Sequence, residues 1–485
     1  MITVSESDLL ARMRDENPWW GEPGGQPDFT GLRPRLYLTS LHGLIDRKQV
    51  RRAVILLGPR RVGKTVLMHQ VIKRLLDGGV AGNRILFINL QAPVYYGRSL
   101  DQLLQLFRGR FDHPRDAKLF IFFDEVQYFK NWEVHLKTLV EDCPSIRFVA
   151  SGSSASALKQ GTRESGAGRF TEFLLPPLTF VEFLELQGLR ERLVDRDPSH
   201  NAERFAARDL TGLNSAFIDY LNFGGYPEAV FNPAIRANPI RYIGGDIIEA
   251  VLMRDLPSLY GIQDTPELNR LFSVLAYNTG QEISLEALTQ ESGVSKTTVG
   301  KYLEYLEAAF LIQRIHRIDL SARRFQRANF FKVYLTNPSL RTALFGPADP
   351  GNSALIGKLA ETAYFAQWFH DPQIARNLHY ARWKGGEVDL VSLDPGSQKP
   401  LFAVEIKWSD ASGEDPDASR HLMHFWKEHP ALNEAVITTR TRTGSWPVPG
   451  TKRQVHYLPL SLHLFQAGHD RIAQHNLRMN GGLVG

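Results

Sequence analysis

Four short runs in the first third of the chain are apolar at nearly every position: AVILL (Ala53 to Leu57), ILFINL within Arg84 to Leu90, LFIFF (Leu119 to Phe123) and the start of Ile146 to Ser154, IRFVA. A strand with one wet face alternates polar and apolar positions. An unbroken run fits a strand buried on both faces, as in a parallel sheet. TVLMHQVIKRLL (Thr65 to Leu76) has helical periodicity, and another helix is expected to begin near Trp132. The pattern then changes. Val299, Tyr302, Leu303, Leu306 and Phe310 form a helical stripe after the tight turn ESGVS, which contains Gly293. IGKLAETAYFAQWF reads as a helix with Glu361 near its first turn. LHYARWKGGEVDLVSL reads as strand, Gly385–Gly386 turn and strand, and LFAVEIKWS as a further strand. These patterns predict an α/β protein: a parallel sheet first, a helical middle, and a second α/β region in the last third.

The first run leads straight into chemistry. Gly58 to Thr65 fits G-x-x-x-x-G-K-[ST]. Strand, loop and helix follow in the order a phosphate-binding loop requires. The backbone of Gly58, Pro59, Arg60, Arg61, Val62, Gly63, Lys64, Thr65 and Val66 would surround phosphate oxygens, with N–H donors at every position but Pro59 and the helix N-terminus aimed at the same anion. Lys64 would neutralise the β and γ phosphates, and Thr65 would hold Mg²⁺. Asp124 ends the LFIFF run, where a carboxylate at a strand's C-terminal tip can join the Mg²⁺ shell. Glu125 would polarise the attacking water. Ser151 and Ser153, at the tip of the fourth run, are candidate γ-phosphate sensors. Arg169, and less so Arg163, is a candidate arginine finger into a neighbouring copy, or an in-cis sensor. ATP and Mg²⁺ are thus the expected cofactors, and a homo-oligomer is one expected assembly.

The last third holds a second constellation. Glu405 and Lys407 are two apart on one strand and so share a face. Asp389 on the preceding strand can share it, and Glu387, two before, lies on the same side. With Glu361 these form the PD-(D/E)XK order. Asp389 and Glu405 are hard oxygen ligands for Mg²⁺ or Mn²⁺, and Lys407 would orient water. The fold does not by itself imply cleavage; a binding or docking role is the other reading.

Several motifs together resemble one family: GPRRVGKT, FFDEVQ, ASGSSAS, ESGAGRFTEFLLPPLTFVEFL, YLNFGGYPEAV and the early ENPWW. They are similar to prokaryotic AAA+-type ATPases whose C-terminal part was long catalogued as a domain of unknown function. That C-terminal region also resembles the nuclease fold. The resemblance implies an architecture more firmly than a job.

At 485 residues the chain is too long for one core, and roughly two to four domains are expected. The expected division is 1–180 for the ATPase domain, 181–264 for a helical linker or lid, 265–345 for a winged helix, 350–470 for the nuclease-like domain and 471–485 for a disordered tail. A net charge of +5 permits nucleic-acid binding without requiring it. The helix after ESGVS exposes Lys296, Thr297, Thr298, Gly300, Lys301 and Glu304, a weakly basic face, so DNA contact and a structural role both stand. Arg314, Arg317, Arg323, Arg324, Arg327 and Lys332, interleaved with Phe325, Phe330 and Phe331, suit a nucleic-acid backbone and unstacked bases; a solvated hairpin is the alternative. The single cysteine, Cys143, excludes an internal disulfide and a cysteine zinc site. No signal peptide or membrane span is visible, so a cytoplasmic protein is expected.

Two functions remain open. One is an ATP-driven enzyme acting on nucleic acid, with DNA the expected partner and turnover coupled to a metal-dependent nuclease. The other is an ATP-dependent switch whose nuclease-like domain only binds. A P-loop kinase is a distant third, because Glu125 and the long C-terminal half argue against it.

Overall fold

The computed structural model describes residues 4–21, 25–47, 51–152, 168–198, 204–324, 330–448 and 450–479. It divides into two compact units, 1–176 with 474–485, and 177–473.

The first unit is built on five parallel strands: β1 (Ala53–Leu57), β2 (Ile85–Asn89), β3 (Phe120–Asp124), β4 (Arg147–Gly152) and β5 (Phe170–Leu174), in the order β2-β3-β4-β1-β5. AVILL is buried at all five positions, as an unbroken apolar run demands. Helix Lys64–Asp77 follows β1, and helix Trp132–Asp142 precedes β4.

The edge of β2 is capped by side chains from ENPWW. Asn17 donates to the Phe87 carbonyl at 2.7 Å and accepts from the Phe87 N–H at 2.6 Å. The indoles of Trp19 and Trp20 both donate to the Ile85 carbonyl. An amide and two indoles thus fill backbone positions that a sixth strand would otherwise occupy, and so protect the edge.

The second unit opens with helix Phe180–Gln187, whose Thr179 and Glu182 form a capping box. A hairpin follows, β6 (Val194–Asp197) with β7 (Arg204–Ala207), and then helix Leu210–Phe223. The Gly-Gly turn is packed: a Cβ on Gly225 would lie 2.5 Å from Ser339 Oγ and 2.6 Å from Asn337 Cγ.

One mixed sheet organises the rest. Its strands are β8 (Glu282–Ser284), β9 (Ile312–Ile318), β10 (Phe330–Leu335), β11 (Leu378–Trp383), β12 (Gly386–Leu393), β13 (Pro400–Glu405), β14 (Glu434–Thr439), β15 (Gly444–Pro447) and β16 (Gln454–Pro459). The order is β15-β16-β14-β13-β12-β11-β9-β10-β8. Helices Leu285–Ser292 and Lys296–Ala308 lie between β8 and β9. The segments expected as a winged helix and as a nuclease-like domain therefore share a sheet, joined where β9 and β11 pair in parallel, His316 opposite His379. Leu422, Phe425 and Trp426 of helix Arg420–Glu428 cover one face over Val388, Val391, Ala403 and Ile437.

Two expectations are corrected. The helix carrying Glu361 begins at Ser353, capped by the Asn352 side chain, so Glu361 is two turns in rather than near the start. The tail is helical through Met479, as part of helix Leu460–Met479. The cause is packing. His475 is buried, with its ring against Tyr37 at 5.0 Å and Phe173 at 5.1 Å. The remaining tail residues lie outside the described ones.

Candidate functional site

In the first unit the loop between β1 and helix Lys64–Asp77 is shaped by a backbone approach. A Cβ on Gly58 would fall 2.1 Å from the Leu175 carbonyl oxygen, so only glycine fits. Arg61 takes a positive φ of 65°. Val62 is buried, and its carbonyl accepts from Arg35, which also donates to the Pro176 carbonyl. Lys64 is buried, and its Nζ donates to the carbonyls of Gly58 at 3.1 Å and Pro59 at 2.8 Å. Its ammonium is therefore held inside the loop.

The β3 tip meets this loop. Thr65 Oγ1 donates to Asp124 Oδ2 at 2.7 Å, and Ser151 Oγ donates to Asp124 Oδ1. Asp124 is 1% exposed. Burial, then the neighbouring charge of Glu125, raises its pKa to about 6, against the pull of Ser151, Thr65 and Lys64. Ser151 was expected to sense phosphate; here it braces Asp124 and accepts from the Glu125 N–H at 3.2 Å. Glu125 sits at φ 58°, in the left-handed region. A non-glycine residue there is uncommon, and such strain concentrates at functional sites. Its carboxylate accepts from the Gln127 amide. Hydroxyl and carboxylate oxygens of Thr65 and Asp124 form the hard donor set that Mg²⁺ takes.

Arg169 is placed elsewhere. It directly precedes β5, and Phe170 pairs with Ala53 at the start of β1. The phosphate loop follows the other end of β1, a strand length of about 16 Å away. Arg169 instead pairs with Glu141 at 3.0 Å. An in-cis sensor role is corrected on this ground. Ser153 and Arg163 lie outside the described residues.

The second unit gathers the other constellation and adds a residue. Lys407 Nζ bridges Glu405 at 2.7 Å and Asp389 at 3.3 Å. Asp389 Oδ2 also accepts from the Ile406 N–H at 2.8 Å. Lys332, on β10, bridges Glu361 at 2.9 Å and Glu387 at 2.8 Å. Tyr334, two residues on and so on the same face, donates to Glu361. In sequence Lys332 belongs to the basic stretch, yet it is only 4% exposed. A lysine and tyrosine alternating with buried Phe331, Val333 and Leu335 was the available signal.

Burial, with Asp389 adding to it, raises Glu405 to about 8, and its Oε2 is a buried oxygen with no hydrogen-bond partner. Burial likewise raises Glu361, opposed by Lys332 and reinforced by Asp389. Burial works against the charge of Lys407, yet Asp389 and Glu405 hold it protonated above the ordinary lysine range. Two ammonium groups thus stand between the carboxylates. Among the described residues no three His, Cys, Asp or Glu side chains are placed to hold a metal ion. Lys407 takes one oxygen of each expected metal ligand, Asp389 Oδ2 and Glu405 Oε1.

The basic stretch is likewise largely spent inside the unit. Arg314 pairs with Glu307 at 2.6 Å, and Arg317 donates to the Arg382 carbonyl. Lys296 pairs with Glu286. Arg323 and Arg324 remain exposed, and Phe330 is exposed while Phe331 is buried. Phe325 and Arg327 lie outside the described residues.

A P-loop followed by a buried strand-tip aspartate and an adjacent glutamate defines a P-loop ATPase domain. Comparison with known proteins agrees on the type: residues 50–184 match a family model described as an AAA domain. Residues 214–350 match a domain of unknown function, DUF8612. An uncharacterized protein of Haemophilus influenzae is 26% identical over 315 residues, 63% of this chain and 72% of its own. One of Methanocaldococcus jannaschii is 22% identical over 366 residues, 74% of this chain and 76% of its own. One of Mycobacterium tuberculosis is 28% identical over 307 residues, 62% and 58%. Among solved structures, the S. cerevisiae Hsp104:casein complex superposes with a TM-score of 0.29 at 14% identity, covering 61% of this chain and 59% of that one. C. elegans PCH-2 gives 0.25 at 14% identity, covering 42% and 59%. Scores this low bear no weight on the fold of the whole chain. No helix among the described residues is long and apolar enough to cross a membrane.

Proposed function

We propose that this chain hydrolyses ATP in its first unit and uses turnover to switch nucleic-acid binding by its second, without cutting the strand. The observation that carries the ATPase reading is Asp124, buried and held by the hydroxyls of Thr65 and Ser151 directly beside a strained Glu125. Thr65 and Asp124 would hold Mg²⁺, which offsets phosphate charge when bound. Lys64 neutralises the phosphates from inside the loop. Glu125 orients and accepts the proton of the attacking water, with Gln127 steadying its carboxylate.

The non-cutting half of the reading is supported by Lys332 and Lys407. Each carboxylate pair in the second unit already has an ammonium between its members, which offsets part of the charge that a divalent ion would otherwise balance. Exposed Arg323 and Arg324 supply contacts for a phosphate backbone. A second reading, metal-dependent cleavage of DNA, is favoured by one observation, the unpartnered Oε2 of Glu405. In that case Asp389 and Glu405 would be the ligands and Lys407 would have to release them.

Both readings meet one experiment. Glu125→Gln, which should bind ATP without turning it over, is titrated with labelled single-stranded DNA in ATP and in ADP, alongside a cleavage assay on linear DNA with Mn²⁺. Nucleotide-dependent affinity with no cleavage is expected. Equal affinity in both nucleotides would end the switch reading, and cutting lost in Lys407→Ala would establish the second.

A further inference from the structure

The second unit holds a cavity of about 810 Å³ that neither centre uses. It lies between helix Leu210–Phe223 and two turns, 408–410 and 440–441. Its size falls within the roughly 300–1,000 Å³ of small-molecule sites. Four charged residues line it: Arg192, Arg440, Asp219 and Asp410.

Their charges do not cancel within the cavity. Asp219 is committed to Arg236 in an ion pair. Asp410 accepts from the backbone N–H groups of Arg440, Thr441 and Arg442 and from the Thr441 hydroxyl at 2.8 Å, which ties one turn to the other. Arg192 and Arg440, by contrast, have no carboxylate partner among the described residues. Two guanidinium groups therefore face a cavity whose acids are satisfied elsewhere. Such a pair is the recognition chemistry of a phosphate.

The cavity also has an aromatic wall. Trp408 packs at a tilt of 45° on buried Phe217, ring centroids 5.0 Å apart, and the Arg440 guanidinium lies 5.9 Å from the indole centroid. An indole beside a planar guanidinium is a surface on which a nucleobase stacks. The Asn214 amide donates to the Arg440 carbonyl at 3.0 Å, which fixes the second turn against the helix. The wall is thus held before any ligand arrives. Trp408 follows Lys407 directly, so the turn that forms this wall continues from the strand carrying the carboxylate–lysine centre.

We propose that this cavity holds one nucleotide unit, its phosphate on Arg192 and Arg440 and its base against Trp408. The proposal rests on the nucleic-acid reading of the second unit and names the piece of substrate that unit grips. The nucleotide is either one residue of a single strand or a free mononucleotide.

The test uses the full chain in EDTA, so that nothing is cut or hydrolysed. Fluorescein-labelled oligothymidylate is titrated by anisotropy at several salt concentrations, with thymidine 5′-monophosphate as competitor. The double variant Arg192→Ala, Arg440→Ala should weaken binding about tenfold or more and reduce the salt slope by about 1. Both arginines are exposed, so folding should survive, as circular dichroism would report. Trp408→Ala should weaken binding several-fold, and Trp408→Phe should restore most of it, because a ring suffices for stacking. Glu428→Gln, an exposed change outside the cavity, should bind as the wild type does. Competition by the mononucleotide supports a free-nucleotide site; displacement only by strand supports a strand site. If the wild type binds the oligonucleotide and the arginine variant binds it equally well, the cavity is the wrong place and the nucleic-acid reading survives. If the wild type binds neither probe at low salt, both fall together.

Discussion

Asp124 and Glu405 are both buried carboxylates at the C-terminal ends of sheet strands, yet their surroundings differ in kind. Asp124 is held by two neutral hydroxyls, Thr65 and Ser151, one on each oxygen. Its charge is left for a cation to use, and its pKa is raised only to about 6. Glu405 has one oxygen on the ammonium of Lys407 and the other on nothing, and its pKa is raised to about 8. Hydroxyls orient a carboxylate without offsetting its charge, whereas an internal lysine shared by two carboxylates offsets part of it and occupies one of its oxygens. The first arrangement is poised for a ligand that brings its own cation. The second carries an internal ammonium on each of its carboxylate pairs, which is why we propose ATP chemistry for the first unit and binding for the second.

The comparison is broken most directly at the phosphate loop. Lys64→Ala should lower ATP turnover by about a thousandfold, because the buried ammonium is aimed at developing phosphate charge. Lys407→Ala should leave turnover at wild-type level. A steady-state ATPase assay of the two variants decides it; similar losses would mean that the two centres are not chemically separate.

Glu125→Gln should come next, with hydrolysis slowed about 10²- to 10⁴-fold and ATP affinity retained. Equilibrium binding of a labelled ATP beside single-turnover hydrolysis separates the two effects. Wild-type turnover in this variant would remove Glu125 from the chemistry.

The balance of the second centre can be upset at Lys332. Lys332→Met keeps the volume but strands Glu361 and Glu387, and should destabilise the chain by about 3 kcal/mol in EDTA. If the lysine stands in for a cation, Mn²⁺ should restore thermal stability in the variant far more than in the wild type. Thermal melts with and without Mn²⁺ read this out, and an equal response in both proteins would show that Lys332 occupies no cation's place.

The smallest effect expected separates the units by acid. His69 in the first unit packs among the rings of Trp19, Phe29 and Phe87, and burial lowers its pKa from 6.5 to about 4. The folded chain keeps it neutral where the unfolded chain protonates it. Stability is therefore full above pH 6.5 and is lost as pH falls from 6.5 towards 4. His69→Phe should remove that share, about 1 to 3 kcal/mol, from the pH dependence measured by urea unfolding. His379 and His463 of the second unit, also lowered to about 4 by burial, should leave a remaining slope in the same window. An unchanged slope in His69→Phe would mean that this histidine is solvated in the folded state.

Much of the first unit is readable along the chain because its parts are local. The phosphate loop is eight consecutive residues, Asp124 and Glu125 are adjacent, and each strand is an unbroken apolar run that only a sheet buried on both faces accommodates. What those runs could not reveal is how Asn17, Trp19 and Trp20 cap the β2 edge, since that depends on which strand ends up outermost. Nor could they show that Arg169 stands at the far end of the sheet from the loop, which follows from the parallel pairing of β5 with β1. In the second unit, Glu405 and Lys407 share a face by strand periodicity alone, and so do Glu387 and Asp389. Their partners do not. Lys332 reads in sequence as one more cation in a basic stretch, and only the antiparallel pairing of β10 with β9, and the parallel pairing of β9 with β11, carries it to Glu361 and Glu387. Periodicity over two or four residues is a property of the backbone and is written in the chain. The choice of which charge neutralises which is made across strands distant in sequence, where burial leaves an ion no water to turn to and so makes its partner decisive.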